Sequence, residues 1–118
     1  MNREKFDRAF KSIGAFFSVL SNPDRIKILG LLIKKEMDVN EIHETLEISQ
    51  SRVSQHLKLL KLNQLVEERR EGKHVYYHIK DPRVSRVVES VIQFQMFGVA
   101  TDAETMAVMN ELYALWHI

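Results

Sequence analysis

A mainly α fold carrying one small β-hairpin (α+β), in the order α-α-α-α-β-β-α-α, is what this 118-residue chain predicts. Three observations carry the prediction. Apolar residues recur at helical spacing over most of the chain. Four of the helix starts are marked by a residue able to cap free backbone amides. One stretch alone, from Leu65 to Ile79, alternates as paired strands do about a glycine-containing turn.

The first helix is expected over about 3–20, where Phe6, Phe10, Ile13, Phe17 and Leu20 follow one another at spacings of four, three, four and three. Ala9, Phe16 and Val19 add a second apolar side, so this helix is expected to bury two faces, one of them against another subunit. Asn22-Pro23 opens the second helix, since Asn caps and Pro suits the first helical position; Ile26, Leu29, Leu32 and Ile33 face its core. Asn40 is expected to cap a short third helix bearing Ile42 and Leu46. Ile48 closes a tight turn and Ser49 caps a fourth helix over about 50–62. On that helix Val53, Leu57 and Leu60 fall on one side, and Gln50, Ser51, Ser54, Gln55, Lys58 and Lys61 spread over the other. Arg52 lies nearer the apolar border. Leu65-Val66 begins the hairpin, about 65–80, with Glu71-Gly72 as its turn and Val75, Tyr77 and Ile79 alternating on the return. After Asp81-Pro82 a fifth helix carries Val84, Val87, Val88, Val91, Ile92 and Phe94, and Gly98 stops it. Thr101 with Glu104 matches a capping box for a last helix with Met106, Met109, Leu112, Tyr113 and Trp116. The last two helices span about 83–117.

Composition bounds the function. A chain of this length is expected to form one domain, short for an enzyme with a deep cleft. No apolar run approaches the ~20 residues that span a bilayer, and the N-terminus lacks a signal-peptide core, so a cytoplasmic location and no membrane partner are expected. The absence of cysteine removes disulfides, thiolate metal sites and thiol nucleophiles together. The net charge is only +1, yet residues 49–80 hold seven Lys or Arg against three Glu. Positive charge concentrated on one module is the footprint of a phosphate-contacting surface.

A short helix, a turn and a second amphipathic helix form a pair in which the second helix can enter the major groove of DNA. Short polar side chains fit that groove. Gln50 and Gln55 suit base edges, notably adenine, while Ser49, Ser51 and Ser54 suit bases or phosphates. Arg52, nearer the apolar border, is expected to bind DNA with a less direct reach to the bases. Lys58 and Lys61, further along, suit the backbone, and Arg69, Arg70, Lys73 and His74 on the hairpin reach phosphates or the adjacent minor groove. No nucleophile–base pair, phosphate loop or metal-water site is present. Ser54 and His56 stand two apart on a helix and point apart, so an enzyme is not expected.

From Phe16 to about Ile79, a little more than half its length, the chain resembles the ArsR/SmtB family of winged-helix bacterial repressors. Three segments carry the resemblance: Leu20-Ser21-Asn22-Pro23-Asp24-Arg25-Ile26-Lys27-Ile28-Leu29, then Ile48-Ser49-Gln50-Ser51-Arg52-Val53-Ser54-Gln55-His56-Leu57-Lys58-Leu59-Leu60, then Arg69-Arg70-Glu71-Gly72-Lys73-His74-Val75-Tyr76-Tyr77 as the wing. The resemblance implies a winged helix-turn-helix that binds an inverted-repeat operator as a homodimer and leaves it when an effector binds. It implies pairing of the first and fifth helices, hence Phe6, Phe10, Ile13, Phe17, Val84, Val88, Val91 and Ile92 at the dimer contact. It also places His56 in the reading helix, as a structural or DNA-proximal residue. Two departures are small: Glu47 and Gln64 stand where the family often has Gly, with Asn63 beside the second to take a left-handed conformation.

The larger departure concerns sensing. Many members hold a thiolate pair in a segment resembling Glu-Leu-Cys-Val-Cys, where this chain has Glu36-Met37-Asp38-Val39-Asn40. Soft metals need thiolates, so a thiolate-bound effector is excluded. A second family site on the fifth helix uses an Asp and a His two residues apart. Asp81 stands at the first position but Arg83 at the second, and Phe94 and Phe97 occupy the region of the remaining ligands, so no metal and no cofactor is expected. His43 and His117 meeting in a dimer, or another His/carboxylate zinc-type site, is the alternative within the family, against which scattered histidines are more often surface residues. The last helix is expected to pack on the first and fifth rather than line an apolar ligand pocket. A winged helix serving protein partners, with residual DNA binding, is the alternative outside the family. Against it stands the short polar face of the fourth helix, which lacks aromatic anchors. The sequence names no effector, operator or controlled gene.

Overall fold

The computed structural model describes residues 1–98 and, beyond them, positions 103, 107, 110 and 111. The expected last helix, with Met106, Met109, Leu112, Tyr113 and Trp116, therefore lies outside the described residues. Within them the order is α1 (Arg3–Leu20), α2 (Pro23–Lys34), α3 (Val39–Leu46), α4 (Gln50–Leu62), β1 (Val66–Glu71), β2 (His74–Ile79) and α5 (Pro82–Gly98). The mainly α fold with one antiparallel hairpin is as the periodicities predicted.

Side-chain caps fix most of the helix starts. Asn2 accepts from the Lys5 amide at 3.1 Å, and Asn22 accepts from the Arg25 amide at 3.1 Å with Pro23 at the first helical position. The start of α3 corrects the sequence reading. Its cap is Asp38, not Asn40: the Glu41 amide donates to Asp38 Oδ1 at 2.8 Å and the Asp38 amide returns a bond to Glu41 Oε1 at 3.4 Å. That reciprocal box needs an acid or amide three residues on. Asp38 has Glu41 there, whereas Asn40 has His43.

The two turns flanking α4 use non-glycine residues in the left-handed region. Glu47 (φ 57) ends α3, its amide bonded to the His43 carbonyl at 2.9 Å, and His43 Nδ1 donates to the Ile48 carbonyl at 2.8 Å. After α4 it is Gln64 itself (φ 66), not Asn63 (φ −91), that turns left-handed. Asn63 instead closes the helix through Nδ2 on the Leu59 carbonyl at 2.8 Å.

In the hairpin Glu71 pairs with His74, so the two-residue loop is Gly72-Lys73 rather than Glu71-Gly72. Gly72 (φ 61) supplies the positive φ at the first loop position, which slides the turn one residue along. Met37, between α2 and α3, adds a third backbone rung: its amide donates to the Tyr77 carbonyl at 3.1 Å and the Tyr77 amide donates back at 2.8 Å.

The buried side chains form one cluster around α2, which touches α1, α3, α4, α5 and β2. Because α2 is surrounded, it buries Ile28 as well as Leu29 and Leu32, while Ile26 and Ile33 are only half-buried. Val53, Leu57 and Leu60 bring α4 onto the same cluster, as expected. Val88, expected at a subunit contact, is instead part of this core, and Val84 and Ile92 pack against it. By contrast Phe6, Phe10, Ile13 and Phe17 on α1 are 44%, 58%, 48% and 59% exposed, and Val87, Val91 and Phe94 on α5 are also exposed. No helix among the described residues is long and apolar enough to cross a membrane.

Candidate nucleic-acid interface

The α4 helix divides into four longitudinal strips at 100° per residue. The buried strip is Val53, Leu57 and Leu60. Directly opposite, at i, i+3, i+4 and i+7, stand Ser51, Ser54, Gln55 and Lys58, all exposed. Between these two lie the flanks, and each flank is tied to a neighbouring element.

On one flank Gln50 Nε2 donates to Asn40 Oδ1 at 3.1 Å, while Asn40 Nδ2 reaches Glu44 Oε1 at 3.3 Å. Lys61, on the same side, pairs with Glu68 of β1. This contact holds the Glu68 carboxyl below its usual range. On the other flank Arg52 lies 3.6 Å and His56 Nε2 3.9 Å from Asp24 Oδ2 of α2. His56 is mostly covered; burial first, then the Arg25 charge, lower its pKa. Of the polar residues that sequence placed on the reading face, Gln50, Arg52, His56 and Lys61 thus brace α4 against α3, α2 and β1. Ser51, Ser54, Gln55 and Lys58 make no hydrogen bond or ion pair among the described residues.

The start of α4 is open to anions. Ser49 Oγ accepts from the Arg52 amide at 3.2 Å, and unlike α1, α2 and α3 this helix carries no acid in its first turn. Its positive dipole end is therefore not offset by a carboxylate.

The hairpin divides in the same way. Arg70 and Lys73 are exposed and make no ion pair among the described residues. Arg69 is engaged on every side: it forks onto both oxygens of Glu36, donates from Nη1 to Glu71 Oε2 at 2.8 Å, and stacks 4.9 Å from the Tyr76 ring. His74 Nδ1 lies 4.0 Å from Asp38 Oδ2. The sequence reading missed Asp24, Glu36, Asn40 and Glu68, the partners that hold these cations and amides. The mixed signs along Glu67-Glu68-Arg69-Arg70-Glu71 were the available signal, and only for Glu68.

Asp81, the one retained position of the family's helical metal site, is taken up by Arg83. The Arg83 amide, Nε and Nη2 reach it at 2.9, 3.0 and 2.7 Å, and these hydrogen bonds draw its pKa down to about 2. Among the described residues no group of three or more His, Asp or Glu is arranged to hold a metal ion.

The profile of the family described as "Bacterial regulatory protein, arsR family" matches residues 22–68, from the α2 cap through α4 into β1. The chain is 32% identical over 81 residues to a transcriptional repressor SmtB homolog of Synechocystis, covering 69% of this chain and 61% of that protein. It is 32% identical over 89 residues to the transcriptional activator HlyU of Vibrio cholerae, covering 75% of this chain and 82% of that one. Its fold is similar to the homodimeric winged helix-turn-helix DNA-binding domain Mb0332 of Mycobacterium bovis, at a TM-score of 0.71 and 27% identity, covering 86% of this chain and 94% of that structure.

Proposed function

Because the chain belongs to the arsR family of bacterial regulatory proteins and is a DNA-binding transcriptional regulator, we propose that it represses transcription as a homodimer seated on an inverted-repeat operator. The observation that carries this reading is the stripe Ser51, Ser54, Gln55 and Lys58, exposed and unpaired opposite the buried side of a helix whose flanks are braced. A braced helix with a short polar stripe presents hydrogen-bonding groups to base edges without first ordering them.

In this reading α4 lies in the major groove. Gln55 and Ser54 meet base edges, Ser49, Ser51 and Lys58 meet phosphates beside it, and Arg70 and Lys73 at the wing tip hold the backbone further out. The similarity to a homodimeric domain supports pairing of two chains. So does the exposed stripe of Phe6, Phe10, Ile13 and Phe17 on α1 with Val87, Val91 and Phe94 on α5. One relative is a repressor and another an activator, so the sign of regulation rests on the analogy with the first.

Quantitative DNA binding tests the reading. Lys58, Arg70 and Lys73, the three interface cations without an ion pair among the described residues, make six per dimer and give a log affinity falling with log salt at a slope near −5. Gln55→Ala should cost about 1–3 kcal/mol on the preferred sequence and flatten the ranking among sequences. Lys58→Ala should weaken all sequences alike and, being lost from both protomers, reduce the slope by about two. A wild-type protein that ranks promoter fragments no better than random DNA would sink the operator claim, and a promoter reporter decides between repression and activation.

A further inference from the structure

Arg69 is set apart from the other cations of the hairpin because its partly exposed guanidinium is tied to Glu36, Glu71 and the Tyr76 ring at once. We propose that Glu36 and Arg69 form a latch that sets the angle of the wing relative to α4, making both of them positioning residues for DNA binding rather than contacts to it. The inference rests on the wing-and-helix reading above.

The geometry joins three things in one short turn. Glu36, Met37 and Asp38 connect α2 to α3. Met37 exchanges two backbone hydrogen bonds with Tyr77, which makes the turn a short third strand on the hairpin. Glu36 and Asp38, on either side of it, both point to the strand face that carries Arg69, His74 and Tyr76. Glu36 takes the Arg69 fork, and Asp38 lies 4.0 Å from His74. Asp38 is also the cap of α3, the helix on which Gln50 of α4 is braced. The reading helix and the wing are therefore referenced to the same turn.

Val66, Tyr77 and Ile79 seat the base of the ribbon on the core, but beyond the two Met37 bonds its outer half is a two-stranded hairpin, which is marginal in water by itself. Arg69 adds constraints in other directions. Its planar fork fixes an orientation to Glu36, Glu71 holds a further nitrogen, and the Tyr76 ring covers its face. A lone surface ion pair contributes little, but a two-pronged, stacked arginine in a network is the exception to that rule. The neighbouring Arg70 projects from the opposite strand face, so the latch ties one arginine to Glu36 while the wing tip offers Arg70 and Lys73 to solvent.

The test exploits opposite signs. Glu36→Gln removes a negative charge near the DNA surface, so electrostatics alone predicts tighter binding. The latch predicts weaker binding, by about tenfold or more at 0.15 M salt, and a salt slope shallower by about 3.6 as Arg70 and Lys73 of both protomers lose their phosphates. Arg69→Lys keeps the charge but loses fork and stack, so it should reproduce the Glu36→Gln loss. The double variant should be no worse than either single one. Hydrogen exchange at the Tyr77 amide, measured without DNA, should quicken in both variants while amides of α2 keep their protection.

Glu36→Gln binding as tightly as wild type with an unchanged slope would overturn the latch while leaving the DNA-binding reading intact. So would Arg69→Lys behaving as wild type. Wild-type protein without salt-dependent DNA affinity would overturn that reading, and the positioning role with it.

Discussion

His56 shows how a residue on the reading helix can serve the fold instead. It turns toward α2, and burial, reinforced by Arg25 and Arg52 and opposed by Asp24, holds its imidazole below the usual 6.5. The unfolded chain then takes up a proton that the folded chain resists, so the contribution to stability is full above about pH 6.5 and is lost as pH falls toward the lowered folded value. The urea midpoint of wild type should accordingly drop between about pH 7 and pH 5.5 more steeply than that of His56→Gln. Parallel profiles would remove His56 from the account. Glu47 and Gln64 permit a second measurement at this scale. Both hold φ near +60° without being glycine (57 and 66), which costs about 1 kcal/mol each through the Cβ. Glu47→Gly and Gln64→Gly should each raise the urea midpoint, by somewhat less than that cost because glycine also loosens the unfolded chain. A fall in either midpoint would show that the side chain contributes more than its backbone strain takes away.

At the scale of elements, the bounds of α1 and α4 and the start of α2 were legible because each is set by local chemistry: an apolar periodicity, a serine cap, an asparagine cap with proline at the first turn. The same locality explains the two errors. Asn40 and Asp38 are both capping residues two apart, and only the acid three positions further on decides between them. Glu71-Gly72 and Gly72-Lys73 both contain the required glycine, and cross-strand pairing decides the register. What the sequence could not show is which side chains of α4 are free. Gln50 finds Asn40, Lys61 finds Glu68 and Arg52 finds Asp24 across turns whose geometry is tertiary. The corrected α3 start separates two roles on one short helix. Asp38→Ala should cost about 1 kcal/mol in urea unfolding, the usual worth of a cap. Asn40→Ala should leave the midpoint within about 0.5 kcal/mol, as surface substitutions do, yet alter the ranking of operator variants by freeing Gln50. If Asn40→Ala were the more destabilising change, the capping assignment would be wrong.

For the whole molecule the question is why a chain this short leaves so much apolar surface uncovered. The α1 helix contributes Val19 to the core, with Phe16 and Leu20 packed beside it, while Phe6, Phe10, Ile13 and Phe17 line its outer side about half exposed. Covering each of these would yield on the order of 1 kcal/mol, and a twofold arrangement counts every one twice. The sequence already signalled this in the second apolar side of α1, but it misassigned Val88, because spacing on α5 cannot tell the face toward α2 from the face toward solvent. Of the α5 residues expected at that contact Val91 is exposed, with Val87 and Phe94 exposed beside it. In the proposed reading pairing also sets DNA affinity, since two linked reading heads would meet an inverted repeat with an effective concentration that one head lacks. Phe10→Asp with Phe17→Asp should therefore give a monomer in sedimentation and reduce affinity for the full repeat by about a hundredfold or more. Both positions lie on the helix farthest in sequence from the wing, so the variant's affinity for a single half-site should match that of the wild-type protomer. The salt slope on the full repeat should fall by about half, because only one set of Lys58, Arg70 and Lys73 then releases counterions. A folded monomer that still bound the full repeat at wild-type strength would refute the dimeric reading, whereas equal losses on half-site and full repeat would point to damage in the reading head itself.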